Sequence, residues 1–351
     1  MNHDNKLIDI AKFVAALIVV GIHTRPLSGI SPDLDYILFN GIALLAVPFF
    51  FTISAYFLFA KINRTPENES QITHNYAKRL LILYGFWSIP LLPYTLGYRF
   101  FGMIPSIGLI PSFFYLIKEC LISSSFSGSW FLNASIIGAV VSVFLARKTG
   151  QKGLTTIGII SFLLCCMTST YFFIFKPYIG NIYNDRFILI FEAPEFTFLV
   201  SIMYFAIGRY LATTDRESLF MYKHRYMGLL FSVLLVLGEI LLIKHSPTPR
   251  AINTFTTLIP ATYFIAMNLI SFEGELNISQ NTAYFLRQSS IIIYITHFVY
   301  SNLLGLTNQF HHIDDYPMLS YLVIILLCFI TCKLIFTLEK KDRLKWLRYS
   351  H

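Results

Sequence analysis

Apolar runs of about membrane-crossing length, separated by short polar stretches, dominate the chain. A helix rises ~1.5 Å per residue, so ~20 mainly apolar residues cross the hydrocarbon layer of a bilayer. Windows of that length pick out about ten candidate spans, at 7–25, 36–60, 78–98, 129–146, 153–175, 196–213, 227–245, 253–271, 289–308 and 317–337. Residues 99–128 include IPSIGLIPSFFYLIKECLISSS, where Pro and Gly interrupt the pattern, and read as a loop with a short interfacial helix. No intervening stretch is polar enough for a soluble domain. The pattern predicts an all-α polytopic membrane domain over 1–338 and a basic tail over 339–351. No internal repeat is visible, which weighs somewhat against a transporter.

Composition agrees with the pattern. The 351 residues are 55% hydrophobic and 13% charged, about half the charge of an ordinary soluble protein. The opening MNHDNKLIDIAKF lacks the features of a cleaved leader, so the first apolar run is expected to stay as a span. Net charge is +8, but its placement points to topology and not to nucleic acid. With ten spans and the N-terminus inside, 20 of the 27 Lys and Arg fall on the cytoplasmic side. The seven outside are Arg25, Arg99, Lys118, Lys176, Arg186, Lys244 and Arg250. Both termini are then cytoplasmic, and KKDRLKWLR reads as a tail touching anionic lipid of the bilayer. The five cysteines (Cys120, Cys165, Cys166, Cys328, Cys332) lie in apolar runs without metal-ligand spacing and read as packing residues.

Ionisable groups inside the spans are the candidates for chemistry, because they are costly there. In KFVAALIVVGIHT, Lys12 and His23 are eleven residues apart, within roughly 20° of one helical face and roughly 16 Å along it. Histidine takes and returns a proton near neutral pH, so His23 could deprotonate a hydroxyl for attack on a thioester. The plainer reading has Lys12 reaching the inner interface and His23 sitting at the outer one beside Arg25. VPFFFTISAYFLF (47–59) sets Ser54 and Ala55 beside bulky rings, so that a helix or ligand can come close. Lys78 and Arg79 open the third span, where they could hold donor phosphates or simply anchor it at the inner face. Trp130 in SGSWFLNASIIG (127–138) stands at an outer interface, where aromatic belts occur anyway. RQSSIIIYITHFVY (287–300) puts Tyr294 and His297 one turn apart on a late span. Glu239 in LLVLGEILLIKH (234–245) could orient an acceptor hydroxyl or pair with Lys244 or His245.

Taken in order, these pieces resemble the acyltransferase family 3 membrane proteins. That family has a basic residue, ten residues and a His in its first helix, as Lys12 and His23 stand here. Its VPxFFxxSGYxL, KRLLxLY, WFL and SxxIYxxH motifs are similar to VPFFFTISAYFLF, KRLLILY (78–84), Trp130-Phe131-Leu132 and SSIIIYITH (289–297). IDIAKFVAALIVVGIHTRPL especially resembles the membrane half of vancomycin-resistance serine racemases and stand-alone O-acetyltransferase relatives. The racemase half has no counterpart in these residues, so no pyridoxal chemistry is expected. Three departures stand out: Lys12 for the usual Arg, Ala55 for the usual Gly, and Gly128-Ser129 where a His usually precedes the Trp.

The resemblance implies a multi-pass protein of a bacterial cytoplasmic membrane that O-acylates a cell-envelope glycan or its precursor from cytoplasmic acyl-CoA. Acetyl-CoA is the leading donor, with succinyl open, and no metal or resident cofactor is implied. It makes His23 the base, sets Lys12, Lys78, Arg79 and Ser54 on the donor side, and lines the pocket with Trp130, Tyr294, His297 and Glu239. A carrier for a small polar molecule such as an amino acid, or an inactive glycan-export partner, would use the same residues differently. The sequence is compatible with a monomer or a homodimer.

Overall fold

The computed structural model describes residues 6–126, 128–182, 193–247 and 251–351. Ser127, Arg186 and Arg250 lie outside the described residues. Every regular element among those described is helical. The longer helices are α1 Lys6–Thr24, α2 Pro32–Phe39, α3 Ala46–Arg64, α4 Glu69–Ser88, α5 Leu109–Ile122, α6 Trp130–Thr168, α7 Phe172–Ile182, α8 Phe198–Thr213, α9 Arg225–Lys244, α10 Leu258–Ile270, α11 Gln280–His311 and α12 Pro317–Leu338. Six continuous helical runs among the described residues are long and apolar enough to cross a membrane, or seven if a pair bent by 79° after Ser88 is one span.

The difference from ten windows lies in two places. First, α8 and α10, at 16 and 13 residues, are shorter than a full span. Second, α6 holds two windows in one 39-residue run, but Gly150 inside it has φ 68° and ψ −164°, which no helix accommodates. Ser201 Oγ donates to the Ala134 carbonyl (3.0 Å) on the near side of Gly150, and Ser161 Oγ donates to the Leu199 carbonyl (2.6 Å) on the far side. Gly138 packs on Ser201 and Gly158 on Met203. In a straight helix those two glycines would stand ~30 Å apart, yet they meet neighbouring positions of α8. The chain therefore reverses at Gly150, and α6 is a hairpin of two arms around α8.

The segment expected to be a loop with a short interfacial helix at 99–128 holds a helix at Leu109–Ile122 and is more helical than that before it. A π-turn at Leu96–Phe101, a short helix at Ile104–Ile107 and α5 carry it. Glu119 of α5 is buried and satisfied by Arg99 and by Lys118 (3.1 Å), with Arg99 also donating to Ser124 (3.0 Å). The Pro and Gly residues start and stop short helices here without abolishing them.

The chain forms two compact units: Met1–Phe50 with Phe220–Lys244 and Pro260–His351, and Phe51–Leu219 with His245–Ile259. In the first, α1 packs mainly against α11 and α12. Asp9 pairs with Arg287 (3.8 Å) while His23 meets His297, so α1 and α11 run parallel. Phe13 meets Phe329 (5.7 Å) and the Tyr321 hydroxyl donates to the Leu17 carbonyl (3.5 Å), so α12 runs antiparallel to both. The start of α1 and the end of α12 thus share one end of this unit.

In the second unit, α4 packs on α6, and α8 crosses α3 where Gly208 meets Ala55. The core throughout is aliphatic and aromatic, with Cys165, Cys166, Cys328 and Cys332 fully buried as free thiols.

Candidate functional site

The first unit brings together three of the sequence-predicted residues. His23 stands in the last turn of α1 and remains exposed, although its ring packs 4.4 Å from Phe298 and 5.3 Å from His297, centroid to centroid. His297 is fully buried. Its Nδ1 lies 3.1 Å from the Ile293 carbonyl, a bond that requires the proton on Nδ1 and assigns the lone pair to Nε2. That Nε2 is buried without a hydrogen-bond partner among the described residues. Buried polar atoms are ordinarily satisfied, and leaving one open costs roughly 1–3 kcal/mol. Tyr294 lies 6.0 Å from His297, and Phe50 covers Tyr294 edge-on at 6.1 Å. A reachable imidazole backed by a buried neutral one is suited to moving a proton.

The turn after His23 is clamped. Arg25 takes a left-handed conformation, φ 52°, and its Nε is 2.8 Å from buried Asp35, while Nη1 donates to Asn40 (2.8 Å). Asp35 also accepts from the Leu27 amide (3.0 Å). Arg25 is thus a structural neighbour of His23, held by α2.

At the other end of α1, Lys12 is partly buried. It lies three residues after Asp9, on the same face, and Asp9 is buried against Arg287. Lys6 Nζ donates to the Ile278 carbonyl (2.6 Å), tying the start of α1 to the approach of α11. Sequence reasoning passed over Asp9 and Arg287. The available signal was a carboxylate in IDIAK one turn before Lys12, in a run with no other acid. Glu239 is partly buried on α9, and Lys244, offered as its partner, forms an ion pair with Asp33 (2.5 Å).

The remaining predicted residues belong to the second unit. Ser54 hydrogen-bonds the Tyr76 hydroxyl, and Arg79 places its charge near the same ring. Lys78 and Arg79 are exposed on α4. Trp130 opens α6 and packs between Phe51 (6.1 Å) and Phe196 (5.1 Å). Two of the sequence departures acquire local reasons here. Gly128 has φ 85°, a conformation that glycine adopts without penalty, so the turn before Trp130 is built for a glycine. Ala55 is buried against Gly208, so the small residue at this crossing lies on α8 instead of α3.

One group in this unit escaped the sequence reading altogether. Glu195 sits buried in the turn Pro194–Phe196, beside the ring that covers Trp130. Its Oε1 accepts a long bond from Asn253 (3.4 Å), and its Oε2 has no partner among the described residues. Burial pushes its carboxyl up to about 7, against the opposing pull of a backbone amide and Asn253.

Comparison with known proteins places this geometry in context. The family model described as an acyltransferase domain matches residues 5–338. Two proteins of Enterococcus faecalis named amino-acid racemase are similar to the chain. One is 26% identical over 271 residues, covering 76% of this chain and 36% of its own length; the other is 23% identical over 351 residues, covering 98% and 47%. A serine/alanine racemase of Enterococcus gallinarum is 31% identical over 151 residues, 42% of this chain and 20% of that protein. The chain thus spans about half the length of these relatives, or less. No solved structure matches it.

Proposed function

The chain belongs to the acyltransferase family 3 domain proteins, a multi-pass helical membrane family, and on that premise we propose that it moves an acyl group, acetyl first among them, from cytoplasmic acyl-CoA to a hydroxyl of a cell-envelope glycan or its precursor. The observation that carries this reading is the His23–His297 pair on parallel helices. His23, the reachable member, takes the proton of the acceptor hydroxyl as its oxygen attacks the thioester carbonyl. Collapse of the tetrahedral intermediate expels the CoA thiolate, which recovers the proton from His23. The products are the O-acyl ester and free CoA. His297 acts as a positioning residue: its open Nε2 lone pair is available to the remaining His23 N–H when the donor binds, and that bond would fix which nitrogen is the base. Lys12 stands on the donor side of the same helix, with Lys78 and Arg79 steering phosphates at the cytoplasmic face. Within the first unit, Tyr294 lines the acceptor path and Glu239 orients the acceptor hydroxyl; within the second, Trp130 is proposed as an acceptor contact and Ser54 as a donor contact. The protein sits in a bacterial cytoplasmic membrane with both termini inside.

The similar proteins are named for acting on amino acids, and a second reading is carriage of a small amino acid, with His23, Glu239 and His297 as a relay. Thioester consumption separates the two. Purified protein in lipid nanodiscs is given acetyl-CoA, and free CoA thiol is followed for wild type and His23→Ala. His23-dependent release, even slow hydrolysis without acceptor, supports acyl transfer. If succinyl-CoA alone is used, only the acyl group changes. If no acyl-CoA is bound, the acyltransferase reading fails, and uptake of labelled serine into proteoliposomes becomes the next measurement.

A further inference from the structure

At one end of the second unit, four helices converge on a cation that no carboxylate neutralises directly. Arg209 follows Gly208 on α8 and is partly buried. Its guanidinium lies 5.9 Å from the Phe59 ring of α3, and its Nη1 donates to Gln151 Oε1 (2.7 Å), its one side-chain hydrogen bond among the described residues. A guanidinium carries five N–H donors, so most of this fork is unspent. Gln151 sits just past the Gly150 reversal. Its amide nitrogen donates to the Ala206 carbonyl (3.0 Å) and to Thr155 Oγ1 (3.0 Å), which fixes the amide with its oxygen toward Arg209. A neutral amide thus orients the fork without cancelling its charge.

The surroundings add more positive charge. Arg147 lies 4.0 Å from Glu69, and the same Glu69 acts electrostatically on Arg209, so two arginines share one acid. Lys148 and Lys152 flank Gly150 in exposed positions, and Lys78 and Arg79 are exposed on the helix that Glu69 opens, ~14 Å further along it. A planar fork, held in place and sharing its nearest acid with a second arginine, matches phosphate oxygens bidentately.

We propose that Arg209, oriented by Gln151, is a phosphate-binding residue for the nucleotide part of the acyl-CoA donor. This rests on the acyl-CoA reading above. Lys78 and Arg79, ~14 Å along α4 from Glu69, supply a second cationic contact, as a donor with both a diphosphate and a 3′-phosphate needs. The occupant is the nucleotide; a phospholipid headgroup offers similar oxygens and is separated below.

Two variants test the assignment. Gln151→Glu keeps the shape but sets a carboxylate against Arg209, closing the fork internally. Arg209→Lys keeps the charge and removes the fork. Turnover of acetyl-CoA and of acetyl-3′-dephospho-CoA is measured in nanodiscs, with melting temperature as the check on folding. The expected result is a KM for acetyl-CoA raised by about tenfold or more in both variants, with kcat within about twofold and discrimination against the dephospho donor reduced. Gln151→Glu loses the amide donation to the Ala206 carbonyl and should melt somewhat lower than wild type; should it fail to fold, Arg209→Lys carries the test alone. An unchanged KM in a wild-type-active, folded variant overturns the phosphate role and leaves the acyltransferase reading intact. If wild type neither binds nor cleaves acyl-CoA, both fall together. Loss of binding to phosphatidylglycerol vesicles with KM unmoved also overturns it, in favour of a headgroup.

Discussion

The crossing of α3 and α8 offers the sharpest test of the packing. A Cβ built on Gly208 would lie 2.5 Å from the Ala55 Cβ, 2.5 Å from the Thr52 carbonyl oxygen and 2.8 Å from the Tyr56 amide nitrogen. Carbon atoms in good contact sit ~3.5–4.0 Å apart, so Gly208→Ala must push the helices apart by about 1 Å. Two of the three obstacles are backbone and do not rotate away. Overpacking a core costs ~1–3 kcal/mol, and the backbone contacts put this substitution at the upper end. At roughly 1–2 °C per kcal/mol for a chain of this size, the melting temperature should fall by roughly 3–6 °C. The assay is thermal unfolding in detergent. Ala55→Gly in the Gly208→Ala background removes only the Cβ–Cβ clash, so it should recover part of the loss and leave the rest. On its own, Ala55→Gly should cost ~0.5–1 kcal/mol through helix propensity. A Gly208→Ala variant that melts with wild type, or one that Ala55→Gly does not help, would refute this contact.

Other expectations follow from the same geometry. His297→Gln should lower acyl-CoA turnover by roughly 10²-fold, the cost of a misplaced base, while changing KM little, followed as CoA release. Glu195 has its carboxyl raised from 4.5 to about 7 by burial, so the protonated form suits the fold. Its contribution is complete below about pH 4.5 and is lost as pH rises through about 7, a swing of about 3 kcal/mol. Glu195→Gln should flatten the fall in melting temperature between pH 5 and pH 8 that wild type shows. Gly150→Ala forces a side chain into φ 68° and should cost at least ~1 kcal/mol, read as a lower melting temperature; an unchanged value would argue against the reversal there.

Much of the helical layout was legible because burial in lipid demands long apolar runs, and those runs are plain in the sequence. Residues 129–146 and 153–175 were separable by the polar RKTGQKG between them, although the helix continues through most of it. Within 99–128 only one short helix was legible, because Pro and Gly punctuate short helices as readily as they make loops, and because Glu119 finds its cations only in three dimensions. His23 and His297 were visible as odd residues in apolar runs; that they touch was not, since nothing local links positions so far apart. Glu195 was invisible because EAPEFTF carries ordinary turn chemistry, and its isolation comes from what α8 and the residues around Asn253 bring over it. Arg209 looked like an inner-face anchor, and only the fixed Gln151 amide distinguishes it.

The parallel pairing of α1 with α11 also sets a schedule. His23 leaves the ribosome early, and His297 follows 274 residues later, which at ~5–20 residues per second is roughly 15–55 s of synthesis. Through that interval α1 waits in the membrane with Asp9, Lys12 and His23 on it and Arg287 still unmade. Under the proposed mechanism, a chain interrupted before α11 would carry His23 without the residue proposed to orient it, so the histidine pair could form only once α11 had been made.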